Sequence, residues 1–195
     1  MSKGKLIVLY GINNLGKTTQ VKLLVENLKK AGRKVLTGKI PVYRLDPTGI
    51  MINEYLRKGN PYNFAMKDIQ ILYAYNRMQY EPELKAILAG GTNVVLEDYW
   101  GTGVAWGIGY GVEKELLLRL NKPFMWEDLA ILLDGERFVS GIEKNHKHEQ
   151  DKELTEKVRA AHLELGEQFF WKKINANKSI EEVSKAVWGE VKNIF

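Results

Sequence analysis

Gly11, Gly16, Lys17 and Thr18 are the residues whose types and spacing first promise chemistry. They frame the stretch GINNLGKTTQ, with four residues between the two glycines and Lys-Thr directly after the second. A loop with this glycine spacing can fold its backbone amides around an oxyanion, and a helix that starts there adds its dipole and free N–H groups. Lys17 can then neutralise β- and γ-phosphate oxygens, and the Thr18 hydroxyl can ligate magnesium. Gly11, Asn14, Leu15, Gly16 and Thr19 complete the cup. The stretch therefore reads as a cradle for the phosphate tail of ATP. The plain alternative is a strand-to-helix turn with surface Lys and Thr, but the neighbouring segments argue against it. KLIVLY (Lys5 to Tyr10) is a short apolar run suited to a buried parallel strand, and TTQVKLLVENLKK repeats apolar residues at Val21, Leu24, Val25 and Leu28.

A second candidate closes the run NVVLED, where Glu97 and Asp98 stand side by side. Successive strand side chains point to opposite faces, so one of the two can face the phosphate loop and help hold hydrated magnesium. Two solvated acids ending a strand are the alternative. HKH at 146–148 offers two imidazoles, but no third ligand stands at a convincing spacing for zinc.

The elements that must position these residues alternate along the chain. Strand character returns in KVLTGKI, NVVLED, LAILLD and WKKINA. Between them lie a loop, short helix and loop over 41–63, a long helix over 64–88 with Pro82 inside, and a helix near 112–120. YWGTGVAWGIGYG reads as an aromatic, glycine-rich loop; it contains no G-x-G-x-x-G, so a dinucleotide fold gains no support. A helix over 154–169 and a last one opening at Ser179, with Glu182 in a capping-box pattern, finish the chain. Strands separated by helices imply crossovers and a parallel sheet covered on both faces. One α/β domain over 1–195 is expected.

Composition narrows the function. Lys and Arg outnumber Asp and Glu by 29 to 24, but no basic run exceeds a pair, which suits an enzyme of anionic phosphates better than a nucleic-acid binder. With no cysteine, disulfides, thiolate zinc and cysteine nucleophiles are excluded. The apolar stretch Leu6 to Gly11 is too short for a signal-peptide core, and no run approaches membrane-spanning length. The expectation is a cytoplasmic protein with neither membrane nor nucleic acid as partner.

GINNLGKTTQ resembles the GIDGAGKTTQ start of the thymidylate kinases, a family of nucleoside monophosphate kinases. LYAYNRMQY resembles that family's base-binding helix, VVLEDYWGTGVAW its VVxDRYxxSGxAY strand and loop, and KVRAAHLELGEQFFWKKINANKSIEEV its C-terminal portion. The resemblance implies a three-layer P-loop kinase fold, a five-stranded parallel sheet flanked by helices. It implies phosphoryl transfer from ATP to dTMP with magnesium, and a homodimer. It places Tyr73 where an aromatic ring stacks on thymine and Arg77 where an arginine meets a base carbonyl; four residues apart, the two share a helix face. Equally, Tyr73 suits a core position, with Arg77 paired to a neighbouring acid. Thr102 and Gly103 fall on the Ser-Gly near the base and Trp106 on the aromatic closing the pocket, although glycines 101, 103, 107, 109 and 111 also suit sharp turns. Arg44 falls, with one inserted residue, on the arginine that binds the acceptor phosphate.

Three departures stand out. The family's loop aspartate, which holds the acceptor sugar, is Asn13 here. The family's Asp-Arg at the strand end is Glu97-Asp98, so an acid stands where an arginine clamps the acceptor phosphate. By register Glu97 takes the magnesium role, whereas Asp98 could reach a metal or donor water, or orient Arg44 or Arg77. In the lid segment, about 135–152, Arg137 is the only arginine, with Lys144, His146, Lys147 and His148 adding possible positive charge. Lys17, Glu97 and Arg137 are accordingly the catalytic candidates. A kinase for another deoxynucleotide or a deoxynucleoside, and a nucleotide-binding module without transfer activity, are the alternatives.

Overall fold

A computed structural model describes residues 3–138 and 151–195. Five strands form one parallel sheet: β1 (Leu6–Tyr10), β2 (Val35–Lys39), β3 (Asn93–Glu97), β4 (Leu129–Asp134) and β5 (Lys172–Asn175), in the order β2-β3-β1-β4-β5. β1 pairs Leu9 with Glu97 of β3 on one side and with Ile131 of β4 on the other. All five residues of β1 are fully buried. A strand buried on both faces can be a continuous apolar run, which is why LIVLY shows no alternation. The outer strands β2 and β5 are more exposed and correspondingly more polar.

Seven α-helices among the described residues flank this sheet, as a three-layer α/β architecture requires. They are α1 (Lys17–Lys30), α2 (Thr48–Arg57), α3 (Met66–Ala89), α4 (Trp100–Gly109), α5 (Lys114–Asn121), α6 (Lys152–Gln168) and α7 (Ile180–Val191). α1 buries Val21, Leu24, Val25 and Leu28, the stripe read from the sequence, and packs against α7. α7 starts on the expected capping box, with Ser179 Oγ accepting from the Glu182 amide and Glu182 Oε2 accepting from the Ser179 amide. Pro82 is accommodated inside α3. A smaller apolar cluster of Ile52, Tyr55, Leu56 and Ile69 joins α2 to α3, with Tyr43 and Tyr73 packed on it.

The stretch expected as a glycine-rich loop is instead α4. Its glycines serve close packing. A Cβ on Gly101 would lie 2.6 Å from Trp171 Cζ2 and 3.0 Å from Tyr10 Cε1; one on Gly107 would lie 2.7 Å from Leu117 Cδ1, and one on Gly109 2.5 Å from Val158 Cγ2. Only Gly111, beyond the helix end, has the positive φ of a turn glycine, at 80°. Missing side chains let α4 approach α5, α6 and the ring of Trp171 closely, and tertiary packing overrides weak helix propensity.

Candidate functional site

The carboxyl ends of β1, β2 and β3 open onto one cleft of about 460 Å³, the usual place for a ligand in an open parallel sheet. The loop after β1 forms its floor. Gly16 caps α1 with φ 78°, a left-handed conformation that costs glycine nothing, and as a glycine it places no capping side chain over the helix start. The N–H groups and the dipole of a helix start favour an anion. Lys17 is buried; its Nζ donates to the carbonyl oxygens of Gly11 and Ile12, at 2.8 and 2.9 Å, and stands 3.7 Å from Asp98 Oδ1.

Thr18 Oγ1 donates to Glu97 Oε2 at 2.7 Å, so the hydroxyl that opens α1 meets the carboxylate that closes β3. The other oxygen, Oε1, takes a 2.7 Å bond from Lys39 Nζ at the end of β2. Burial pushes the Glu97 carboxyl up, but Lys39 and the Thr18 bond outweigh it and hold the group below the usual carboxylate range. Asp98 behaves oppositely. Burial raises it against the pull of Lys17, with the Glu97 charge adding to the rise. It sits at φ 63°, and Thr102 Oγ1 donates to its Oδ1 at 2.9 Å. Of the roles left open for Asp98, neither arginine contact forms among the described residues, where its partners are Lys17 and Thr102.

This pair of hard oxygens, Thr18 Oγ1 and Glu97 Oε2, fits magnesium. That ion keeps several waters and takes its remaining ligands from phosphates, so one hydroxyl and one carboxylate suffice. Among the described residues no group of three or more His, Asp or Glu gathers as a protein-built metal cage.

The cleft's far wall comes from α3 and α4. Tyr73, Arg77, Thr102, Gly103 and Trp106 all line it, as do Asn13, Asn14, Gly16 and Thr19 of the loop. Arg77 is buried, and its Nη2 donates to Asn121 Oδ1 at 2.6 Å while its Nε finds no partner among the described residues. Burial lowers its pKa to about 10, leaving it charged at neutral pH. Gly103 faces it: a Cβ there would stand 3.3 Å from Arg77 Nη1. Neighbouring Asn76, fully buried, clamps Val42 through bonds to its amide and carbonyl, at 2.7 and 3.0 Å, and thereby holds the chain leading to Tyr43.

Four expected residues lie elsewhere. Arg44 does not line the cleft. Its Nη2 bonds both carboxylate oxygens of Glu83, at 2.6 and 2.7 Å, in a separate groove beside β2. Gly11 and Leu15 lie beneath the loop against β4 and α6 rather than on the cleft surface. Arg137 donates to Thr155 Oγ1 at 3.2 Å, while the adjacent Phe138 amide donates to the Asn14 carbonyl at 2.8 Å, so Phe138 lies on the phosphate loop. Lys144, His146, Lys147 and His148 fall outside the described residues.

Sequence reasoning missed Lys39, Tyr43 and Arg57, which line the cleft, and Asn121, which anchors Arg77. Lys39 alone left a usable signal, a lysine closing a strand beside the one that ends in Glu97.

The thymidylate kinase family model matches residues 9–187. The chain belongs to the thymidylate kinase family. It is 29% identical to the thymidylate kinase of Dictyostelium discoideum over 200 residues, covering 100% of this chain and 86% of that one. It is 30% identical to the thymidylate kinase of Plasmodium falciparum over 202 residues, covering 98% and 91%. The solved thymidylate kinase of Candida albicans superposes with a TM-score of 0.82, covering 99% of this chain and 93% of that one at 22% identity. The fold of this thymidylate kinase family member is thus shared end to end.

Proposed function

We propose that this protein transfers the γ-phosphoryl group of ATP to dTMP, giving ADP and dTDP. The observation that carries the reading is one cleft with a phosphate loop, Lys17 and the Thr18–Glu97 pair at one end, and Tyr73 with Arg77 at the other. Transfer between two phosphates needs positioning and charge neutralisation rather than a covalent intermediate. Lys17 exchanges its carbonyl contacts for the migrating phosphoryl group. Thr18 and Glu97 would hold magnesium, which would supply charge neutralisation on the donor phosphates. Tyr73 stacks on the base, and Arg77 presents N–H donors to a base carbonyl. Thr102, Gly103 and Trp106 close the base pocket, and Asn13 bonds the sugar. Arg137, just ahead of residues 139–150, which lie outside the described residues, reaches the transferred group, within a single 1–195 domain. The family resemblance supports a homodimer. No helix among the described residues is long and apolar enough to cross a membrane, and the protein is read as cytoplasmic.

The test is coupled ADP release across a panel of deoxynucleosides and their monophosphates. dTMP is the expected best acceptor, and Lys17→Ala should reduce transfer by about a hundred- to a thousandfold, the cost of removing one charge-stabilising group at a reacting centre. The acid at position 98 favours a second reading in which the acceptor is an unphosphorylated nucleoside. Faster turnover of thymidine than of dTMP would select it.

A further inference from the structure

We infer that Lys39 is the cation that binds the acceptor's phosphate, taking over the charge that Asp98 cannot supply; this rests on the dTMP kinase reading. Four cationic side chains of the described residues line the cleft: Lys17, Lys39, Arg57 and Arg77. Lys17 lies in the phosphate loop and serves the donor. Arg77 is buried at the base end, tied to Asn121. An acceptor phosphate between those ends approaches the donor's phosphates and also meets Glu97 and Asp98, two acids that repel it. Some cation must offset that repulsion.

Lys39 is placed to do so. It closes β2 directly beside the end of β3, in register with Glu97. Its ammonium spends one donor on Glu97 Oε1, its only hydrogen-bond partner among the described residues. An ammonium carries three N–H donors, so two remain for phosphate oxygens without breaking the Glu97 bond. The side chain is 56% exposed, while Glu97 is buried, so the pair anchors Lys39 at its carboxylate and leaves its outer side open to the cleft. The two oxygens of that one carboxylate are divided between them, Oε2 to Thr18 and Oε1 to Lys39. One rigid acid thereby fixes the spacing between the acceptor cation and the donor's metal-binding hydroxyl. Arg57, by contrast, stands at the far end of α2, with its Cζ 5.8 Å from the Tyr43 ring, and no carboxylate of the described residues forms a salt bridge with it.

The test compares a phosphorylated acceptor with its own nucleoside, by calorimetry without ATP or metal. Wild type, Lys39→Met, Lys39→Arg and Arg57→Met are titrated with dTMP and with thymidine, after thermal melts establish that each variant is folded. Loss of a charge-assisted bond predicts that Lys39→Met weakens dTMP about ten- to hundredfold and leaves thymidine within twofold. Lys39→Arg, which retains the charge, should stay within about fivefold for dTMP. The proposal is overturned if Lys39→Met weakens dTMP and thymidine equally, or weakens neither. It is also overturned if Arg57→Met alone produces the dTMP-selective loss. Wild type that binds a different monophosphate overturns the dTMP assignment only, and the same comparison with that nucleotide and its nucleoside then decides the role of Lys39.

Discussion

Replacing Asn121 by Ala removes the acceptor that holds Arg77 in place among the described residues. The guanidinium is buried, its Nε already lacks a partner, and its Nη2 bond to Asn121 Oδ1 is 2.6 Å long. A hydrogen bond to a charged group contributes about 1.5–3 kcal/mol, and stranding a buried charge keeps the loss near the upper end of that range. In a chain of this length each kcal/mol moves the melting temperature by about 2–4 °C, so a fall of roughly 5–10 °C is expected. The functional consequence is separate. Thymine offers an oxygen where cytosine offers an amino group, and only a fixed guanidinium can tell them apart. Asn121→Ala should therefore raise the KM for dTMP about tenfold and shrink the dTMP-to-dCMP ratio of kcat/KM, with the KM for ATP little changed. Asn121→Asp, which keeps an acceptor oxygen, should preserve the ratio. Melting by circular dichroism and steady-state ADP release provide both readouts. An unchanged melting temperature together with an unchanged dTMP-to-dCMP ratio would show that Asn121 positions nothing.

Two further predictions address stability. Gly101→Ala drives a methyl into Trp171, which cannot retreat because it stacks on Tyr10 at 4.0 Å between ring centroids; a loss of about 1–3 kcal/mol in urea unfolding is expected. Gly189→Ala, in α7 with nothing within 4 Å of the added carbon, should instead gain about 0.5–1 kcal/mol, and a loss there would contradict the assignment of open space. His162 supplies the pH dependence. Burial, aided by the Lys17 charge, lowers its pKa from 6.5 to about 4, so the folded state favours the neutral ring. Its contribution, roughly 3 kcal/mol, is fully present above pH 6.5 and is lost as pH falls through about 4. Urea unfolding at pH 7 and pH 4.5 should show a smaller difference for His162→Leu than for wild type; parallel losses would refute the role of this ring.

The phosphate loop was legible because its mechanism lives in consecutive residues, a strand, a glycine loop and a helix start. The sheet was legible for the same reason, since each buried strand is a short continuous apolar run. α4 was not, because clustered glycines signal turns locally, and their true cause, the rings and branched side chains of Tyr10, Trp171, Leu117 and Val158, lies on other elements. Tyr73 and Arg77 were placed on one wall of the cleft by the family resemblance. Arg44 was misplaced because only the fold reveals Glu83 as its partner, 39 residues away. Asn121 was invisible, being one asparagine near a helix end until α3 and α5 meet.

Helix α4 has two working sides. One carries Thr102, Gly103 and Trp106 into the cleft, and the other presses bare backbone against the ring of Trp171 and the side chains of Leu117 and Val158. A partition braced in this way has no slack, so it selects guests by refusing those that do not fit rather than by moulding itself around them. Damage to the hidden side should then travel through the helix, and a substitution that touches no ligand would alter which nucleotide is admitted.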